Sequence, residues 1–107
     1  MKKGMIKVSV LYPNGVDKRF DIDYYCNKHV PMVLTLLSEK VKSGAVEEGL
    51  AGGAPGAPAN YLAMGHLYFD SIEDFQNTFG PNAEKIMGDI PNFTNTEPVI
   101  QISQVMI

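Results

Sequence analysis

Residues 61–69 read YLAMGHLYF. This stretch decides the fold because it alternates and is nevertheless apolar on both faces. Leu62, Met64 and Tyr68 share one face with His66, while Ala63, Leu67 and Phe69 share the other. Period-two alternation with aromatic groups is strand behaviour. A strand covered by a single layer of helices needs only one apolar face. Residues 61–69 therefore predict a strand with packing partners on both sides.

The flanking segments supply the rest of the sheet. Upstream, Ile6, Val8, Val10 and Tyr12 alternate with Lys7, Ser9 and Leu11, a second strand that Pro13-Asn14-Gly15 ends as a turn. Residues 45–51 form a weaker strand, and Gly52 to Pro58 a flexible surface connection. That connection has the glycines of a phosphate loop but neither its Lys-Ser/Thr ending nor a helix after it. Downstream, Ser71-Ile72-Glu73-Asp74 resembles a capping box, and Ile72, Phe75 and Phe79 form the apolar stripe of a helix. Gly80-Pro81 interrupts it, with a short helix expected from Pro81 to Met87. Residues 97–106 make the last strand.

The order is β-α-β-β-α-β in one domain spanning residues 1–107. Two helices cover one face of a four-stranded antiparallel sheet. The other face would then leave a broad apolar surface in water, which monomers rarely do. A second copy packed sheet to sheet resolves the mismatch, so a homodimer is expected.

Composition bounds the function classes. With 45% hydrophobic and 20% charged residues among 107, the chain is ordinary globular material with one core. Its net charge of −3, without a basic stripe, argues against nucleic acid as a partner. The N-terminal MKKGMIKVSVLY is broken by Lys7 and Ser9 and lacks a small-residue cleavage site, so it is not a signal peptide. No run is long enough to span a membrane. One cysteine fits a reducing compartment, and the expected location is cytoplasmic.

The first helix carries the chemistry. In DIDYYCNKHVPMVLTLL, residues 21–37, Asp21 caps, Phe20 staples against Tyr25, and the apolar stripe runs through Ile22, Tyr25, His29, Met32, Val33 and Leu36 to a stop at Gly44. Pro31 sits inside it. Proline lacks an N–H and crowds the carbonyl of Asn27, so the helix should kink or split around residues 27–30, with Pro31 opening the second piece. Tyr25 and His29 are four residues apart on one face. Two roles for His29 stay open on residue types: a ring bonded to the carbonyl freed by Pro31, which is the commoner case, or a ring aimed into a cavity as a proton carrier. No His-His or Cys-x-x-Cys spacing suggests a metal, and no Gly-x-Ser-x-Gly elbow suggests a serine hydrolase. Cys26 is near enough for a thiolate–imidazolium pair, but helix spacing does not aim the two groups at each other.

Four segments carry a family resemblance: MIKVSVLYPNG (5–15), RFDIDYYCNKHVPMV (19–33), YLAMGHLYFDSIEDFQ (61–76) and TNTEPVIQISQV (94–105). In this order they resemble the EthD family, the ethyl tert-butyl ether degradation protein family of the dimeric α+β barrel superfamily. Tyr-Tyr-x-x-x-His-x-Pro and Phe-Asp-Ser-x-Glu-Asp-Phe are the most specific parts. The resemblance implies a ferredoxin-like protomer and a two-fold dimer with sheets face to face. The family has no general reaction. Relatives in the superfamily include isomerases, cofactor-free monooxygenases, cyclases and haem-handling proteins, which use the cleft between sheet and helices.

The resulting expectation is a small enzyme without cofactor, acting on an aromatic or lactone-like carbonyl compound in catabolism. His29 would be its acid or base, with Tyr12, Tyr25, His66 and Tyr68 as ligand-binding residues. The rival is a non-catalytic ligand-carrying accessory protein. Haem, with His29 or His66 as axial ligand, is a third possibility that no sequence feature demands.

Overall fold

The computed structural model describes residues 2–107. Four strands, β1 (Ile6–Pro13), β2 (Ser43–Glu48), β3 (Tyr61–Phe69) and β4 (Val99–Gln104), form one antiparallel sheet in the order β2-β3-β1-β4. Between β1 and β2 run α1 (Ile22–Tyr24), a π-helical turn (Tyr25–His29) and α2 (Val30–Leu37). Between β3 and β4 run α3 (Ile72–Phe79), a 3-10 turn (Gly80–Asn82), α4 (Ala83–Gly88) and a second 3-10 turn (Ile90–Asn92). This is the ferredoxin-like α+β protomer.

The register separates two faces. Val8 pairs with Leu67, Val10 with Gly65 and Tyr12 with Ala63, and these residues point toward the helices. Tyr12, Phe69 and Leu37 are the largest fully buried side chains of that layer. The opposite face presents Leu11, Leu62, Met64 and Val99, with no helix over them. Leu11, Leu62 and Met64 are half-buried, and Val99 is 50% exposed. On the helix side, Ile100 and Ile102 of the edge strand β4 also remain exposed.

The helix starts follow the sequence. Asp21 accepts the Tyr24 backbone N–H at 3.0 Å, and the Phe20 ring meets Tyr25 at 5.0 Å. Ser71 accepts the Asp74 N–H at 3.1 Å. The expected split at Pro31 takes another form. The backbone stays helical through Tyr25, His29 and Val30, but the Val30 N–H reaches back to the Tyr25 carbonyl, a π-type bond that takes in an extra residue. The bend is absorbed by widening one turn, and α2 then begins at Val30 with Pro31 in its first turn.

The helix also ends earlier than Gly44. Ser38 takes a left-handed φ of 58°, and a 3-10 turn closes the element at Lys40. Gly44 instead lies in β2 opposite Leu67, where a β-carbon would come within 3.3 Å of the His66 carbonyl and the Leu67 side chain. The segment from Gly52 to Pro58 is not an open tether. The Gly52 N–H bonds the Ala57 carbonyl at 2.9 Å, and Asn14 holds the loop's end through the carbonyls of Ala59 and Asn60, both at 3.0 Å.

Candidate functional site

A cavity of about 430 Å³ lies between the sheet and the helices. Its walls are mainly aliphatic and aromatic, among them Val33, Leu37, Phe75 and Ile86, and its polar end is formed by Tyr12, Tyr25 and His29. Apolar walls with a few convergent polar groups are the usual make-up of a small-molecule site.

Each polar group is placed by a distinct local cause. Tyr12 is the last inward residue of β1 before Pro13. Tyr25 and His29 open and close the π turn, and their rings stack with centroids 5.5 Å apart and planes 15° from parallel. Phe93 braces them, 5.1 Å from Tyr25 and 4.6 Å from His29. It is fixed by the tie between residues 93–96 and the loop before α1: the Asp21 N–H bonds the Phe93 carbonyl at 2.7 Å, and the Thr94 hydroxyl bonds the Arg19 carbonyl at 2.6 Å.

His29 is 4% exposed, and its Nδ1 lies 2.8 Å from Asp89 Oδ2. A carboxylate only accepts, so Nδ1 carries a proton, and in the neutral ring the lone pair is on Nε2. Among the described residues no side chain or carbonyl bonds Nε2. Among the described residues no side-chain nitrogen or oxygen is both fully buried and unpartnered, so Nε2 keeps accessible surface, and His29 lines the cavity. The ring is thus not held at both nitrogens, and its one partner is a side chain from the far end of the sequence.

Asp89 is the residue that sequence reasoning missed. It caps the C-terminal end of α4, and its carboxylate also accepts from the Tyr24 hydroxyl at 2.8 Å and the Asn92 side chain at 2.9 Å. Partial burial acts to raise its pKa, but hydrogen bonds from Asn92, His29 and Tyr24, with the His29 charge, outweigh it and hold the carboxyl below its ordinary 3.8. Burial pushes both cavity phenols up: that of Tyr12 further through the adjacent Tyr25, that of Tyr25 against a partial offset from Tyr12. Both phenols are therefore neutral hydrogen-bond donors at physiological pH.

His66 and Tyr68 are placed differently. They alternate with Gly65 and Leu67, so their side chains stand on the open face, although the strand at His66 is part of the cavity lining. There His66 bridges Ser9 Oγ at Nδ1 and Glu47 Oε1 at Nε2, both at 3.1 Å. Tyr12, Tyr25 and His29 thus form one group, and His66 and Tyr68 belong to another surface. Cys26 is exposed and outside both. Among the described residues, no group of three or more His, Cys, Asp or Glu side chains is placed to hold a metal ion, and no helix is long and apolar enough to cross a membrane.

Comparison with known proteins agrees with this architecture. The chain is 44% identical to an EthD-like protein of Ralstonia eutropha, covering 99% of this chain and 96% of that one with a TM-score of 0.93. An EthD family protein of Bacillus halodurans shares the fold at 20% identity and a TM-score of 0.63, over 95% of this chain and 99% of that one. The chain is also 28% identical over 92 residues, 85% of each protein, to an 11.0 kDa protein from the thcB–thcC intergenic region of Rhodococcus erythropolis. The model of the EthD domain matches residues 13–97, and the chain belongs to the EthD family.

Proposed function

We propose that the protein is a small acid–base enzyme acting on an aromatic or lactone-like carbonyl compound in a catabolic pathway, with His29 as the proton carrier. The observation that carries this reading is the Asp89–His29 pair at 2.8 Å, with His29 on the cavity wall. Nε2 takes the proton from a carbon acidified by the neighbouring carbonyl. Asp89 holds the ring in the required tautomer and stabilises the imidazolium that forms. Tyr25, neutral at working pH, donates to the developing enolate oxygen, and Tyr12 donates to the Tyr25 hydroxyl and strengthens it as a donor. Return of the proton at a different carbon gives isomerisation, and attack of the enolate on an internal carbonyl gives ring closure. A positioned base of this kind contributes roughly 10²–10⁴-fold in rate.

The open sheet face supports a homodimer as the working form. Leu11, Leu62, Met64 and Val99 form an apolar surface there, and a second copy would cover it sheet to sheet. His66, Ser9 and Glu47 then lie in the interface, where a satisfied polar row among apolar groups fixes the register of two sheets.

The test is proton exchange. Wild-type protein in deuterium oxide should exchange the α-protons of phenylacetone or α-angelica lactone, followed by proton NMR, and His29→Ala should lose most of that rate while keeping its fold. Binding of these probes without exchange above the His29→Ala level would instead identify a carrier or accessory protein.

A further inference from the structure

Acid–base chemistry at His29 uses one end of the cavity and leaves most of its wall without a role. The polar end lies at the level of Gly65 in β3, where the Tyr25 hydroxyl stands over the glycine. The wall also includes Phe75, whose ring lies 5.4 Å from that of Phe69, the last residue of β3. Gly65 and Phe69 are four residues apart on the helix-covered face, a rise of about 13 Å. Between these levels the wall carries Val8, Val33, Leu37, Leu67 and Ile86, all aliphatic. The space is polar at one end and apolar over the rest of its length.

No charge serves the apolar part. Among the described residues that line the cavity none is a carboxylate, and Lys42 is the one Lys or Arg. The residue that packs on the core at this point is its neighbour Val41, and the Lys42 ammonium pairs with the carboxylate of Asp70 at 3.9 Å, one residue beyond the end of β3. Ser43 and His66, also in the lining, alternate toward the open face. A charged group carried down this wall would lose its water without gaining a counter-ion.

We propose that the cavity takes an uncharged carbonyl compound with an unbranched alkyl tail, its carbonyl at His29 and Tyr25 and its tail laid along β3 toward Phe75. The proposal rests on the acid–base reading in placing the ligand in this cavity, and it adds the length and charge of that ligand. Alkyl ketones and alkyl lactones share this chemistry. Each methylene buried on such a wall tightens binding by up to roughly fourfold.

Methyl ketones from methyl propyl ketone to methyl nonyl ketone test it, titrated into the wild-type protein and followed by backbone amide NMR. Affinity should rise with each methylene, by at least about thirtyfold over the series. The keto acid with a carboxylate in place of the terminal methyl of methyl nonyl ketone should bind at least about tenfold more weakly than the ketone. Leu67→Trp, which fills the middle of the wall, should flatten the rise with length, and His29→Ala should keep it. Equal affinity of short and long ketones, or a keto acid that binds as tightly as its ketone, overturns the proposal. Both readouts use wild type, so neither depends on the folding of Leu67→Trp. α-Proton exchange that persists in that case leaves the acid–base reading standing, and absence of both ketone binding and exchange overturns the two together.

Discussion

The Tyr25 hydroxyl stands over the α-carbon of Gly65, in the space a β-carbon at that position would fill. The glycine in the middle of β3 is therefore a seat for a phenol from the opposite layer, a close approach that only the missing side chain permits. Gly65→Ala should displace Tyr25 and with it the His29 ring stacked on it. Overpacking of this kind costs about 1–3 kcal/mol. Urea unfolding should register that loss. An Ala variant as stable as wild type would mean that Tyr25 has another place to go.

The Asp89 carboxylate gathers hydrogen bonds from Asn92, His29 and Tyr24, which together hold its pKa below 3.8. Removing a donor relaxes that hold. Asn92→Ala and His29→Ala should each move the titration of the Asp89 side-chain carbon up toward 3.8, as followed by carbon-detected NMR. Tyr24→Phe should do the same. An unmoved titration in all three variants would refute the bonding pattern around Asp89.

Much of the fold was legible in the sequence, because each strand and helix is written in its own local pattern. Residues 61–69 alternate and form β3 over that whole span, and Asp21 and Ser71 cap the helices they precede. The site was legible only in its local half. Tyr25 and His29 share a helical face, so spacing brings them together. Asp89 is 60 residues from His29, and nothing in local periodicity connects them. One signal was available: a carboxylate at the C-terminal end of a helix opposes the helix dipole, a local cost that suggests a partner elsewhere. The faces of His66 and Tyr68 were illegible for a different reason. Both sides of β3 are apolar, so alternation grouped these residues without saying which group meets the helices.

The same carboxylate makes stability depend on acid. Because its folded-state pKa lies below the ordinary 3.8, the stabilisation it carries is complete above that value and is lost as the pH falls through the folded-state value. Wild type should therefore exceed Asp89→Asn in stability at neutral pH, and the gap should narrow as the pH falls below 3.8. Thermal melts across that range measure it. A constant gap would show that Asp89 acts through packing and not through its charge.

The open face predicts its own disruption. Met64 lies at its centre, between Leu62 and His66 on the same strand and opposite Leu11 on β1. Met64→Glu would bury a carboxylate directly opposite Glu47 in a sheet-to-sheet contact, and one uncompensated buried charge costs about 3–5 kcal/mol. Light scattering should give twice the chain mass for wild type and a shift toward the single-chain mass for the variant. A wild-type mass of one chain at micromolar concentration would remove the dimer.

The π turn at Tyr25–His29 makes segment length itself informative. It holds one residue more than an α-helical path between the same two ends requires. Deleting Cys26, whose side chain is exposed, removes that surplus and lets the helix close in regular α form without shortening its span. The residues on either side of the turn then keep their relative orientation, and Tyr25 and His29, now three residues apart, stay on one helical face. A single-residue gap at this point in an aligned relative would therefore mark a protein that keeps the protomer fold and the phenol–imidazole face but has a regular α-helix in place of the π turn, a difference countable in an alignment.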